Sequence, residues 1–245
     1  MEGCQPRLAV LDLWLKPRNS LRRITLIRLL VLAVVTVGSL LSEWGTLRAD
    51  SVTWATKTAM STARQALMVA AATNGKIYAI GGLNASSQAV ANVEEYTPSS
   101  NSWLDRASLP AGRNGAAAVG ATDGKVYVFS GFVQGVTGSS ATVLAYDPTA
   151  NTWTSRANIP TSRGDPAAAQ ATNGMIYVIG GQGSTGFNQE YNPTGNTWTV
   201  KANMPTARYA LGVAAAANGK VYAIGGIDAG SSTVGTVEEY DPASN

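Results

Sequence analysis

Histidine is absent from this 245-residue chain, and cysteine occurs once, at Cys4. The first absence removes the commonest metal ligand and the commonest general base together. The second rules out an intrachain disulfide, so packing and hydrogen bonding must hold the molecule. Neither a metal site nor a cofactor is expected. Charge is also sparse, at 13% of residues, and its small excess is local. Residues 1–50 hold seven Lys and Arg against four Asp and Glu, whereas residues 51–245 hold eleven of each. A neutral body offers no electrostatic footprint for a phosphate backbone, which argues against a nucleic-acid partner.

A hydrophobic run long enough to span a bilayer is missing as well. The uncharged stretch 29–42 (LLVLAVVTVGSLLS) is preceded by Arg22, Arg23 and Arg28 and closed by Glu43. Its length suits the apolar core of a secretory signal better than a spanning helix, which needs about 20 residues. Residues 1–49 are therefore expected to be an N-terminal hydrophobic leader helix, either a cleaved signal peptide or a signal anchor that engages the membrane. Either form implies an extracytoplasmic location for residues 50–245, secreted, periplasmic or membrane-anchored. Cleavage is expected near Asp50.

What the chain has in abundance is repetition. Trp54, Trp103, Trp153 and Trp198 are each followed ten residues later by Arg64, Arg113, Arg163 and Arg208. Ten further on stand Asn74-Gly75, Asp123-Gly124, Asn173-Gly174 and Asn218-Gly219. Then come Gly81-Gly82, Ser130-Gly131, Gly180-Gly181 and Gly225-Gly226, and after a variable stretch Tyr96, Tyr146, Tyr191 and Tyr240. A repeat of 45 to 50 residues implies stacked supersecondary units. Each unit reads as four short strands. In the last, 210–216 is small and apolar, Asn218-Gly219 is expected to form a type I′ turn, and 220–224 and 237–240 are the second and third strands. A fourth strand surrounds the Trp, as in 196–199. The Gly pairs mark places where another backbone comes close, and Tyr and Trp fill the wider wedge between sheets.

Apolar strand, Gly-Gly, spaced Tyr and Trp, and the turn Asp-Pro-x-x-Asn-x-Trp together resemble the Kelch repeat, over residues 52–245. Ser130 for the first Gly, Ser61 where Pro110, Pro160 and Pro205 stand, and Thr97 and Asn192 for Asp depart from the pattern without threatening it. The resemblance implies an all-β propeller of four-stranded blades over residues 50–245. The units run at about 64–112, 113–162, 163–207 and 208–245. Strand 52–57 could complete the last blade and close a ring of four. The alternative is an arc of a larger propeller, since the family more often has five to eight blades. An open arc would be prone to self-association through its sheet edges.

Divergence between units collects in the connections after the Gly pairs, 83–91, 132–142, 182–187 and 227–236. With the links between blades they form one rim, and the constant turns form the other. Loops on a rigid scaffold are where recognition concentrates, so a protein or carbohydrate ligand is expected there. Phe132, Phe187 and Tyr209 are the candidate aromatic anchors, with Asn84 and Asp228 as polar contacts and Arg163 and Arg208 as charges. The four Arg could ring the mouth of a pocket; their identical placement favours tying blade to blade through backbone carbonyls. Glu94-Glu95 and Glu238-Glu239 read as solvated blade edge. Arg163-Gly164-Asp165 spells an adhesion tripeptide too short to carry weight. Two other functions stay open: a sugar-modifying enzyme of the sialic acid epimerase type, which the family resemblance alone suggests, and a self-assembling surface protein. The copper-oxidase chemistry of some relatives is excluded, since it needs His ligands and a Cys-linked Tyr.

Overall fold

Where the sequence alternates a small-residue strand, an Asn-Gly turn and an aromatic-rich strand, the chain folds into hairpins that stack as blades. The structure is a computed structural model and describes residues 53–183 and 186–245. In chain order the strands of the first blade are β1 (Met68–Ala71), β2 (Ile77–Ile80), β3 (Val93–Thr97) and β4 (Ser102–Arg106). The second unit holds β5 (Arg113–Asn114), β6 (Ala117–Gly120), β7 (Val126–Phe129), β8 (Phe132–Val133), β9 (Val143–Asp147) and β10 (Thr152–Arg156). The third holds β11 (Ala167–Gln170), β12 (Ile176–Ile179), β13 (Asn188–Asn192) and β14 (Thr197–Lys201). In the fourth are β15 (Arg208–Tyr209), β16 (Gly212–Ala215), β17 (Val221–Ile224), β18 (Ile227–Asp228) and β19 (Val237–Tyr240).

Three blades are four-stranded antiparallel meanders, β1-β2-β3-β4, β6-β7-β9-β10 and β11-β12-β13-β14; the fourth is β16-β17-β19. The short ribbons β5-β8 and β15-β18 lie beyond the Gly pairs. Burial follows strand position. All four residues of β7 and of β12 are buried, as an apolar run covered on both faces must be. The outer strands β4, β10 and β14 share one half-exposed pattern. Cross-strand Tyr–Trp pairs close each of these blades, with centroids 4.9 Å apart for Tyr96–Trp103, 5.0 Å for Tyr146–Trp153 and 4.9 Å for Tyr191–Trp198.

The blades join through repeated contacts. The innermost strands pack in sequence, β1 on β6, β6 on β11 and β11 on β16. At the outside, Trp103, Trp153 and Trp198 donate their indole N–H to the carbonyls of Thr58, Ala107 and Ala157 in the preceding unit. The amides of those same three residues donate to the side-chain oxygens of Asn101, Asn151 and Asn196. Each of these Asn takes left-handed backbone, at φ 51, 54 and 52, a conformation that Asn tolerates well. At the inside, Gly82, Gly131 and Gly181 donate to the carbonyls of Arg113, Arg163 and Arg208 in the next blade. A Cβ at Gly81 would lie 2.3 Å from the Arg113 carbonyl oxygen, so the Gly pair is required by close backbone approach. Ser130 replaces the first Gly by bonding instead: its Oγ accepts from the Arg163 amide at 2.8 Å and lies 2.7 Å from the Arg163 carbonyl.

Two expectations are corrected here. The Asn-Gly turns are not type I′. Gly75 alone has positive φ, and its amide donates to the Ala72 carbonyl inside a longer loop closed by Ala72 N–H to Lys76 O. Asn74 instead accepts from Lys76 N–H and donates to the Tyr78 hydroxyl. The strand expected over 52–57 is also not formed in its described residues. Residues 53–57 carry no strand, Val52 lies outside the described residues, and among the described residues β19 pairs only with β17. The forward face of the fourth blade is open, with Ile224 49% and Val237 60% exposed. The repeats are four consecutive propeller blades. The leader falls outside the described residues.

Candidate functional site

Because each meander alternates direction, the Asn-Gly and Asp-Pro turns share one rim, and the variable loops and inter-blade links share the other. This second rim carries the candidate site. Its central feature is a line of four left-handed residues, one per blade, two positions after each Arg: Ala66, Gly115, Asp165 and Ala210, with φ between 48 and 55. They hydrogen-bond in series, Gly115 N–H to Ala66 O, Asp165 N–H to Gly115 O at 2.7 Å and Ala210 N–H to Asp165 O at 3.0 Å. Asp165 is the one charged member. Its carboxylate accepts from Gln182 Nε2 at 2.7 Å. Burial raises its carboxyl above the ordinary value, and the Gln182 bond offsets that only in part.

Phe132 reaches the same spot from the second blade. An ideal Cβ on Gly164 would fall 2.1 Å from its ring, and one on Gly115 would meet both the Phe132 ring and Asp165 Oδ1. The two glycines thus let Phe132 and Asp165 sit side by side. Next to them, between the third and fourth blades, lies a cleft of about 210 Å³ walled by Gly181, Gly183, Tyr209, Asp228 and Ser231. Gln182 stands between the cleft glycines and bonds Asp165, and Tyr209 precedes Ala210. Phe132, Asp165, Gln182, Tyr209 and Asp228 therefore form one neighbourhood.

The other expected residues fall elsewhere. Arg163 and Arg208 are each 1% exposed, which leaves their guanidinium groups no access to a partner. The four Arg side chains bond backbone carbonyls of their own blade: Arg64 to Ala79, Arg113 to Ser130 and Thr142, Arg163 to Val178, Arg208 to Gly225, Thr236 and Ala223. The blade-to-blade tie comes from the Arg backbone carbonyls instead. Burial pushes the Arg113 and Arg163 guanidinium groups down to about 10, so both stay charged at neutral pH. Phe187 covers Arg163, whose guanidinium carbon lies 5.6 Å from the ring centroid. Asn84 and Asp228 do the same local job: each side-chain oxygen accepts from the amides two and four residues on, shaping its loop.

The acidic pairs are not solvated edge in the first blade. Glu94 is 1% and Glu95 5% exposed. Glu94 pairs with Arg64 at 2.7 Å and accepts from Ser61, and Glu95 pairs with Arg106 at 2.7 Å and accepts from the Tyr78 hydroxyl. Glu238 likewise pairs with Arg208 at 2.7 Å. Leu144 and Gln189 hold this position in the middle blades. Sequence reasoning passed over Asp165, yet a signal existed: it stands where the other units place Ala or Gly.

Family comparison agrees with this geometry. A model of the KLHDC2/KLHL20/DRC7 Kelch-repeats domain matches residues 41–226, and the Kelch motif matches 208–245. The chain belongs to the Kelch-repeat family. Kelch propellers typically act as protein-interaction modules and generally bind protein partners. No curated protein matches the chain in a sequence comparison.

Proposed function

We propose that this Kelch-repeat chain is a non-catalytic binding module, located outside the cytoplasm, that recognises a basic segment of a protein partner through its variable rim. One observation carries the reading. The four Arg of that rim are withdrawn into carbonyl bonds, while Asp165 and Asp228 each keep part of their surface exposed. Asp228 shapes its own loop. Asp165 is held partly desolvated beside the Phe132 ring, an expensive place for a carboxylate unless a cation joins it. A Lys or Arg side chain is the complementary group, and an apolar neighbour on the same segment would meet Phe132 or Tyr209.

Selection from a displayed peptide library on the immobilised chain tests this directly. Enrichment of Lys or Arg next to an aromatic or aliphatic residue is expected, with loss of the enrichment on Asp165→Asn. A charge-neutral or acidic consensus would end the reading. A glycan ligand is the second reading, supported by two aromatic rings beside the amide of Gln182 and the hydroxyl of Ser231; a glycan array decides it. Export is supported by the Arg-flanked apolar run of the leader. Fusion of residues 1–60 to a reporter active only outside the cytoplasm should give signal, and a silent reporter would refute it.

A further inference from the structure

The two oxygens of the Asp165 carboxylate meet different surroundings. Oδ2 accepts from Gln182 Nε2 at 2.7 Å. Oδ1 takes no hydrogen bond from the described residues and lies over Gly115, where an ideal Cβ would fall 2.5 Å from it and 3.2 Å from Cδ2 of the Phe132 ring. One oxygen is engaged, and the other stands unpaired beside an aromatic ring. The side chain is half-buried, and burial raises its carboxyl above the ordinary value. A lone carboxylate oxygen in such a place gains strongly from a charged donor.

The backbone fixes this arrangement. Asp165 sits at φ 48, with its amide bonded to the Gly115 carbonyl and its carbonyl accepting from Ala210. Gln182 N–H donates to the Gly164 carbonyl at 2.7 Å, which ties the residue that holds Oδ2 to the residue before Asp165. Gly164 leaves its side-chain space to the Phe132 ring, since an ideal Cβ would lie 2.1 Å from Cζ. The pairing belongs to the third blade alone. The positions equivalent to Asp165 hold Ala66, Gly115 and Ala210, and those equivalent to Gln182 hold Leu83, Phe132 and Ile227. The acid and the amide that engages it therefore depart from the repeat together.

Resting on the basic partner segment proposed for this rim, we infer that the site takes the primary ammonium of a lysine in preference to the guanidinium of an arginine, and that Gln182 sets this preference. Guanidinium and carboxylate bind best as a fork, with two parallel N–H donors on two oxygens. Gln182 already holds one of those oxygens, so an arginine forms half of its fork and leaves donors without partners. An ammonium is a compact point charge with rotatable donors. One of its N–H groups meets Oδ1, the charge lies beside the Phe132 ring, and the remaining donors stay with water.

Paired arrays of short acetylated peptides, probed with the full-length chain, test the assignment. The arrays carry the same random sequences and differ only in a central Lys or Arg; acetylation removes the competing N-terminal ammonium. Over matched pairs, the Lys peptides should bind about tenfold more strongly, the worth of one charge-assisted hydrogen bond. Gln182 is exposed, so Gln182→Leu leaves the blade folded while freeing Oδ2. That variant should bring the arrays within about twofold by strengthening the Arg peptides. Equal binding of the two arrays to the unaltered chain overturns the inference while basic recognition stands. So does a Lys preference that Gln182→Leu leaves intact. Binding of neither array above a matched norleucine array removes basic recognition, and this inference with it.

Discussion

Replacing Asn151 with alanine probes the contact that repeats at each outer joint. The Asn151 side-chain oxygen accepts from the Tyr146 hydroxyl at 2.7 Å and from the Ala107 amide at 2.9 Å, and its own backbone sits at φ 54. Tyr146 is fully buried, so its hydroxyl loses its acceptor without gaining water, at about 1–2 kcal/mol. The Ala107 amide is exposed and rehydrates at little cost. Alanine in the left-handed region adds about 1 kcal/mol. The sum is a loss of about 2–3 kcal/mol, read as a lower midpoint with unchanged slope in urea unfolding. Asn151→Gly keeps the backbone and loses only the bonds, so it should be about 1 kcal/mol milder. A loss under about 0.5 kcal/mol for alanine, or equal loss for glycine and alanine, would refute the reasoning.

Two further predictions concern charge. Asp165→Asn should raise the melting temperature at pH 7, because burial raises the folded-state carboxyl and the ionised form costs stability once pH exceeds the ordinary Asp range. The gap should close in acid, where both states are protonated; a lower melting temperature at pH 7 would contradict it. Glu94→Gln should cost about 3 kcal/mol at pH 7 by leaving Arg64 buried without its partner. Burial pushes the Glu94 carboxyl up, but the Ser61 bonds and Arg64 outweigh it and hold the group below the ordinary value. Its stabilisation is therefore present above that value and lost as pH falls through the lowered one. A deficit that persists undiminished in acid would count against the pairing.

Much of the blade architecture was legible because each element has a local cause repeated four times. Gly81 is glycine because a neighbouring carbonyl leaves no room, and Trp103 recurs because a carbonyl one unit back awaits it. Periodicity also separated the two rims. What stayed hidden depended on partners distant in sequence. Glu94 reads as surface until Arg64, 30 residues earlier, is seen to fold over it. For Arg163 the repeat pointed to backbone carbonyls, but not that the carbonyl is Val178 of its own blade and not one of the next. Asp165 was concealed by a familiar tripeptide, while its meaning lay in backbone geometry shared with Ala66 and Ala210.

The central claim is that the variable rim, and not the rim of constant turns, binds the partner. It is tested by the affinity of one library-selected peptide for paired variants, all shown to remain folded. Phe132→Ala and Asp165→Asn on the variable rim should each weaken binding by about 2 kcal/mol, the usual cost at a hot spot, while Lys125→Ala and Thr149→Ala on the opposite rim leave it unchanged. Equal weakening from both rims, or weakening from the second pair alone, would contradict the account.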